Sequence, residues 1–165
     1  MTMTKYIYPY RVSVVRENTN RYPRVSSSKE VRTIAKELLA DAATERFLVF
    51  FLDSKNRITG FNEASVGSLN VSVVHPRDTM RAAVIQGASS IVLAHNHPSG
   101  DPAPSREDRD CTRRLCHAGR ILGIRVLDHI VVGDPESGDY YSFADAGMLD
   151  DWGDPDINVA LGKAS

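Results

Sequence analysis

Ser90-Ile91-Val92-Leu93-Ala94-His95-Asn96-His97-Pro98-Ser99-Gly100, followed by Ser105-Arg106-Glu107-Asp108, decides the reading of this chain. Ile91 to Ala94 is short, apolar and rich in β-branched residues, the composition of a buried strand. Residues i and i+2 of a strand point to one side, so His95 and His97 aim at one place where that strand ends. A Pro/Gly loop then leads to Ser105, a good N-cap for a helix that carries Asp108 in its first turn. Two imidazoles and a carboxylate are a ligand set that suits zinc, and three protein ligands leave a fourth position for water.

Working outward, the hydrophobic periodicity places the rest of the chain. Ser27-Ser28-Lys29-Glu30 reads as a capping box, with Val31, Ile34, Ala35, Leu38 and Ala42 at helical spacing behind it. Arg46 to Leu52 and Arg57 to Ser68 read as a β-hairpin across the polar turn Asp53-Ser54-Lys55-Asn56. His75 and Pro76 start a second helix that Gly87 ends. The third helix, from Ser105, is expected to stop near Gly119, with Cys111, Leu115, Ala118 and Leu122 as its apolar stripe and Asp108 on the same inward face. Ile124 to Val132 is a buried strand and Tyr140 to Phe143 a short last one. Helices interspersed with strands and one hairpin predict a single-domain α/β fold, an α/β/α sandwich around a mixed sheet.

Composition sets the class. The chain has 165 residues, 42% hydrophobic and 25% charged, enough for one domain with a substantial core. No apolar run approaches the roughly 20 residues that span a bilayer, and Met1 to Tyr6 lacks the apolar core of a signal peptide. No membrane association and a cytoplasmic location are expected. Cys111 and Cys116, five apart in a helix, suit neither a disulfide nor a CxxC metal site and read as buried thiols on different faces of it.

Net charge is −1 but unevenly spread. Residues 1–25 read as an extended basic arm, residues 26–149 as the domain, and 150–165 as an acidic, loose tail. A basic arm can contact DNA or an acidic partner; a solvated arm balanced by an acidic tail explains the pattern equally well. Arg106, Arg109, Arg113 and Arg114 pose the same choice between a substrate-attracting face and a solvated one.

A hydrolytic metal site also needs a base that takes a proton from water and returns it to the leaving group. Glu45, Glu63 and Asp101 are the candidates, and spacing alone does not choose among them. Asp108 has a structural alternative as the N3 acid of a capping box with Ser105, a role compatible with metal binding. An unpaired carboxylate buried on an apolar stripe costs several kcal/mol, which a cation offsets. His129 is read as a core histidine satisfied by a neighbour in preference to a residue orienting a ligand. His117 is placed on the exposed side of its helix.

His-x-His, ten intervening residues and Asp, with Ser three positions before the Asp, resembles the JAMM/MPN metalloprotease signature. The longer string HNHPSGDPAPSREDRD, with VGSLNVSVVHPRD ahead and GIRVLDHIVVG behind, resembles the RadC (UPF0758) family from about Ser27 to Leu149. The resemblance implies a JAMM/MPN fold, related to cytidine deaminases, that holds one Zn2+ ion with water in the fourth position. Position by position, it implies His95, His97 and Asp108 as zinc ligands, Ser105 as an oxyanion partner and Glu45 as the general base, with Glu63 in reserve. Pro76-Arg77-Asp78 departs from the Pro-Arg-Glu common in the family, at an acid read as structural. The helix-hairpin-helix-like domain that longer members carry ahead of this region is not in the sequence.

The expected activity is zinc-dependent hydrolysis by a metallopeptidase or isopeptidase, with a peptide or isopeptide-linked protein as substrate. A DNA-repair or recombination accessory with structural or vestigial zinc, binding DNA through the basic arm, is the alternative. A metal-dependent nuclease ranks third. His95-Asn96-His97 is not an HNH nuclease motif, whose residues are dispersed over a ββα unit, and the HxE…PCxxC pattern of zinc deaminases is missing.

Overall fold

A computed structural model describes residues 23–39, 42–66, 74–134, 137–149 and 152. Five strands, β1 (Arg46–Leu52), β2 (Ile58–Val66), β3 (Ser90–Asn96), β4 (Arg125–Val132) and β5 (Tyr140–Ser142), form one mixed sheet in the order β2-β1-β3-β4-β5. β3 and β4 are parallel, joined through a helix; the other neighbours are antiparallel. Helix α1 (Ser28–Leu39) covers one face, and α2 (Pro76–Gln86) and α3 (Arg106–Leu122) cover the other. The α/β/α sandwich expected from the element order is the fold observed.

Strand parity divides the core. Phe47, Val49, Phe51, Ile91 and Leu93 pack with Met80, Cys111 and Leu115 of α2 and α3. Leu48, Phe50, Leu52, Val92 and Ala94 pack with Val31, Ala35 and Leu39 of α1. A sheet covered on both faces needs strands that are apolar throughout, and every residue of β3 is buried. The hairpin turn forms as read, with Asp53 Oδ1 accepting from the N–H groups of Lys55 (2.8 Å) and Arg57 (3.0 Å) and Asn56 at φ 56°.

The ends of the helices follow their caps, with corrections. Ser27 Oγ accepts from Glu30 N–H at 3.3 Å, while the Glu30 carboxylate reaches one residue further back, to Ser26 N–H at 2.6 Å. His75 caps α2, its Nδ1 accepting from Arg77 N–H, and Gly87 closes that helix at φ 69°. Helix α3 runs a turn past Gly119 and ends at Gly123, φ 71°. Gly119 stays inside because a Cβ there would stand 2.2 Å from the Ile124 carbonyl oxygen. The buried stripe of α3 is correspondingly Asp108, Cys111, Thr112, Leu115, Cys116 and Gly119, whereas Leu122 is exposed. That face is wide enough to hold both cysteines, which are free thiols raised to about 11 by burial. His117 is half-buried, not on the open side.

The expected arm and tail fall largely outside the described residues. Pro23 to Val25 lie along the hairpin, where Val25 N–H donates to Asn56 C=O and Ile58 N–H to Pro23 C=O, each at 2.9 Å. Trp152 packs its ring 5.9 Å from that of Phe143. No helix among the described residues is long and apolar enough to cross a membrane.

Candidate metal centre

The register of β1 on β3 builds the site. Phe47 pairs with His95, so their side chains share the α3 face of the sheet and their rings stack 5.9 Å apart. Two residues along each strand, past the pair, stand Glu45 and His97, on that same face. Helix α3 returns the chain over this end and delivers Asp108, 2% exposed. Side-chain ligand atoms of Glu45, His95, His97 and Asp108 all lie within 4.8 Å of one another.

Asp108 does two things at once. Ser105 donates to its Oδ2 from both the backbone N–H (2.7 Å) and Oγ (2.6 Å), and Ser105 Oγ accepts from Asp108 N–H at 3.1 Å, completing a capping box. Asp108 Oδ1 meanwhile stands 3.2 Å from His95 Nε2, and Oδ2 stands 3.3 Å from His97 Nε2. The two Nε2 atoms are 3.0 Å apart. Glu45 is set back, its Oε1 3.9 Å from His95 Nε2.

These spacings fit a tetrahedral ion. Ligand atoms on a tetrahedron with zinc bonds of ~2.0–2.1 Å stand roughly 3.3 Å apart, close to the separation of the two Nε2 atoms and to that of each from one Asp108 oxygen, Oδ1 for His95 and Oδ2 for His97. His97 Nδ1 donates to the Asp101 carbonyl at 2.7 Å, which leaves the neutral ring's lone pair on Nε2, facing the cluster. Burial alone would raise Asp108, but the imidazoles of His95 and His97 and the Ser105 hydroxyl overrule it and hold the carboxyl well below its usual range. The same contact with Asp108 raises His97. Two nitrogen donors and a buried carboxylate whose ion-pair partners among the described residues are imidazoles form a site that can hold a divalent metal.

The other base candidates are engaged elsewhere. Glu63 makes a two-pronged ion pair with Arg46, with Arg46 Nη2 2.7 Å from Oε2, and is lowered by it. The Asp101 carboxylate accepts from Ala103 N–H at 2.9 Å, and only its carbonyl faces His97. Asp78 pairs with Arg81 at 3.1 Å on α2, a structural role. Arg106 and Arg113 stand 3.8 and 3.5 Å from Asp110 along α3.

Three residues carry more of the site than their sequence context signalled. Asn96, between the two histidines, points to the opposite face and holds the backbone on either side of Glu45: Oδ1 accepts from Arg46 N–H (2.9 Å) and Nδ2 donates to Thr44 C=O (3.2 Å). His129 Nε2 is 2.8 Å from His95 Nδ1, and Thr112 Oγ1 is 2.6 Å from His129 Nδ1. His129 is fully buried between Phe47 and Phe143, and burial holds it well below the usual histidine range, hence neutral. A cleft of about 310 Å³ beside α1 is lined by His97 and Asn96 but by none of Glu45, His95 and Asp108.

A family model described as RadC-like JAB domain matches residues 25–148. A UPF0758 protein of Trichlorobacter lovleyi is 52% identical over 126 residues, 76% of this chain and 54% of that protein. A UPF0758 protein of Methanosarcina mazei is 43% identical over the same shares of both. One of Geotalea uraniireducens is 55% identical over 109 residues, 66% of this chain and 46% of the relative. The chain thus spans about half the length of the curated relatives it matches. With the sandwich fold and the His95–His97–Asp108 cluster in place, the match assigns the chain to the RadC-like JAB domain family.

Proposed function

We propose that this domain is a zinc-dependent hydrolase that cleaves an amide bond, peptide or isopeptide, with His95, His97 and Asp108 holding the ion. The observation that carries the reading is the position of Glu45, its Oε1 set back 3.9 Å from His95 Nε2 beside two imidazole nitrogens and a buried carboxylate gathered at one point. Zinc bound there supplies a lowered pKa for water, towards ~7, and polarisation of the scissile carbonyl. Glu45 takes the proton from the attacking water and delivers it to the leaving amine, so that an amine and not an amide anion departs. Ser105, whose hydroxyl hydrogen rests on Asp108 Oδ2, turns it to the oxyanion as negative charge develops there. His97, tied through Nδ1 to the Asp101 carbonyl, keeps its ring orientation throughout. Two buried free thiols suit a reducing compartment, and we place the protein in the cytoplasm.

The deciding experiment screens the zinc-loaded chain and its Glu45→Gln variant against peptide, isopeptide-linked and nucleic-acid substrates, with zinc content measured in both. Amide cleavage that falls by about 10²–10⁴ in the variant at unchanged zinc content is the expected result. Cleavage of nucleic acid alone, or amide cleavage indifferent to Glu45→Gln, would overturn the reading.

A further inference from the structure

We infer that Thr112 and His129 form a tautomer lock on His95, setting which of its ring nitrogens faces the metal centre; this rests on the metal reading above. The direction of every hydrogen bond in the chain follows from its one unambiguous end. Thr112 Oγ1 lies 2.5 Å from the backbone carbonyl oxygen of Asp108, and a carbonyl can only accept, so the threonine hydrogen is there. Were it turned elsewhere, two oxygen lone pairs would face each other at that separation. With its hydrogen spent, Thr112 Oγ1 is an acceptor towards His129, 2.6 Å away, so His129 Nδ1 carries a proton.

A neutral imidazole has one N–H, which leaves His129 Nε2 bare. His129 is fully buried between Phe47 and Phe143, and among the described residues its ring nitrogens meet Thr112 and His95 and no carboxylate, so the site holds the uncharged ring. Its bare Nε2, 2.8 Å from His95 Nδ1, therefore accepts, and His95 carries its proton on Nδ1. With Nδ1 protonated, His95 can offer a lone pair to a metal only from Nε2, the atom that faces Asp108 and His97. The lock also ties three elements together, since it runs from the first turn of α3, which holds Asp108, through β4 to β3. Thr112 and His129 are positioning residues: neither reaches the metal centre, and both act through His95 and Asp108.

Thr112→Val keeps the shape of the side chain and removes the acceptor. His129 then gains nothing from a proton on Nδ1 and can carry it on Nε2 instead, which turns the His95 proton towards the metal centre. Thr112→Ser keeps the hydroxyl and serves as the rescue.

The test has two readouts on the full chain. Nitrogen-15 NMR of the metal-free protein reads the His129 tautomer directly, without any substitution, and Zn2+ affinity is measured by competition with a chromogenic chelator. Expected are a wild-type His129 protonated on Nδ1 and bare on Nε2, and a roughly 10–100-fold loss of Zn2+ affinity in Thr112→Val that Thr112→Ser restores. A wild-type His129 protonated on Nε2, or a folded Thr112→Val chain with wild-type Zn2+ affinity, would overturn the lock. A wild-type chain that takes up no Zn2+ overturns the metal reading instead, and the His129 spectrum still decides the lock.

Discussion

Asn96 Oδ1 accepts the backbone N–H of Arg46 at 2.9 Å, and its Nδ2 holds the Thr44 carbonyl at 3.2 Å, so one amide grips the chain on both sides of Glu45. Glu45 immediately precedes β1, and this clamp holds the backbone on either side of it. Asn96→Asp keeps the size but loses the donor and sets a carboxylate against the Thr44 carbonyl. Cleavage is expected to fall roughly tenfold or more while zinc content is retained, because a misplaced base costs rate and not ligation. Two partly buried hydrogen bonds disturbed also lower stability by about 1–3 kcal/mol. Zinc content, kcat and a denaturation midpoint on one preparation separate the effects; equal loss of zinc and activity would show that the clamp holds the ligands as well and would contradict a role confined to Glu45.

Removing a ligand should behave differently. A metal that binds the folded chain alone stabilises it by about 2.7 kcal/mol at a free concentration of 100 Kd. For a domain of this size that is roughly 5–10 °C in the thermal midpoint. Wild type is expected to show that rise on adding Zn2+, and His97→Ala to lose most of it. A midpoint that Zn2+ moves equally in both proteins would count against His97 as a ligand.

The Arg46–Glu63 pair gives the fold a pH dependence with a definite sign. Arg46 holds the Glu63 carboxyl below its ordinary value, so the folded chain binds that proton less readily than the unfolded one. Its contribution is therefore present above the unfolded carboxyl pKa and is lost as pH falls through the lower, folded one. The pair is partly exposed, and about 1 kcal/mol is the expected size. The stability difference between wild type and Glu63→Gln should be constant from neutral pH down to about 5 and shrink below ~4. A difference that grows on acidification would contradict this arrangement.

What was legible in the sequence was local. Alternation and a turn at Asp53 to Asn56 wrote the hairpin, and the i, i+2 spacing of His95 and His97 put both rings on one face. The resemblance of the surrounding string pointed to Glu45, but the physical reason it arrives at the site is the pairing of Phe47 with His95, a register no single segment encodes. Asn96 and Thr112 stayed silent for the same reason. Each acts on a segment brought near by strand pairing, Asn96 on residues 50 or more positions away and Thr112 on β4. His129 sat in an apolar strand context that a core histidine satisfies equally well, and only its 2.8 Å contact with His95 distinguishes the roles.

The end of α3 shows how one residue type carries two meanings. Gly119 reads as the stop signal, yet Gly123 is the residue that adopts the left-handed conformation of a helix cap. Gly119 is helical, and in a helix interior alanine is ordinarily favoured over glycine by about 1 kcal/mol. Here the sign is expected to reverse. Ile124 N–H donates back to the Gly119 carbonyl at 2.8 Å as the chain leaves the helix for β4, folding the Ile124 carbonyl over the Gly119 Cα. An added Cβ would meet that oxygen at 2.2 Å and the Met80 side chain at 3.3 Å, and the first is backbone that moves only if the helix exit opens. Gly119→Ala should therefore destabilise by about 2 kcal/mol or more, as overpacking does. Gly87→Ala meets open space and bears only the left-handed strain, about 1 kcal/mol. Denaturant midpoints should rank wild type above Gly87→Ala and Gly87→Ala above Gly119→Ala; a Gly119→Ala chain as stable as wild type would show that the helix exit does not pass this close in solution.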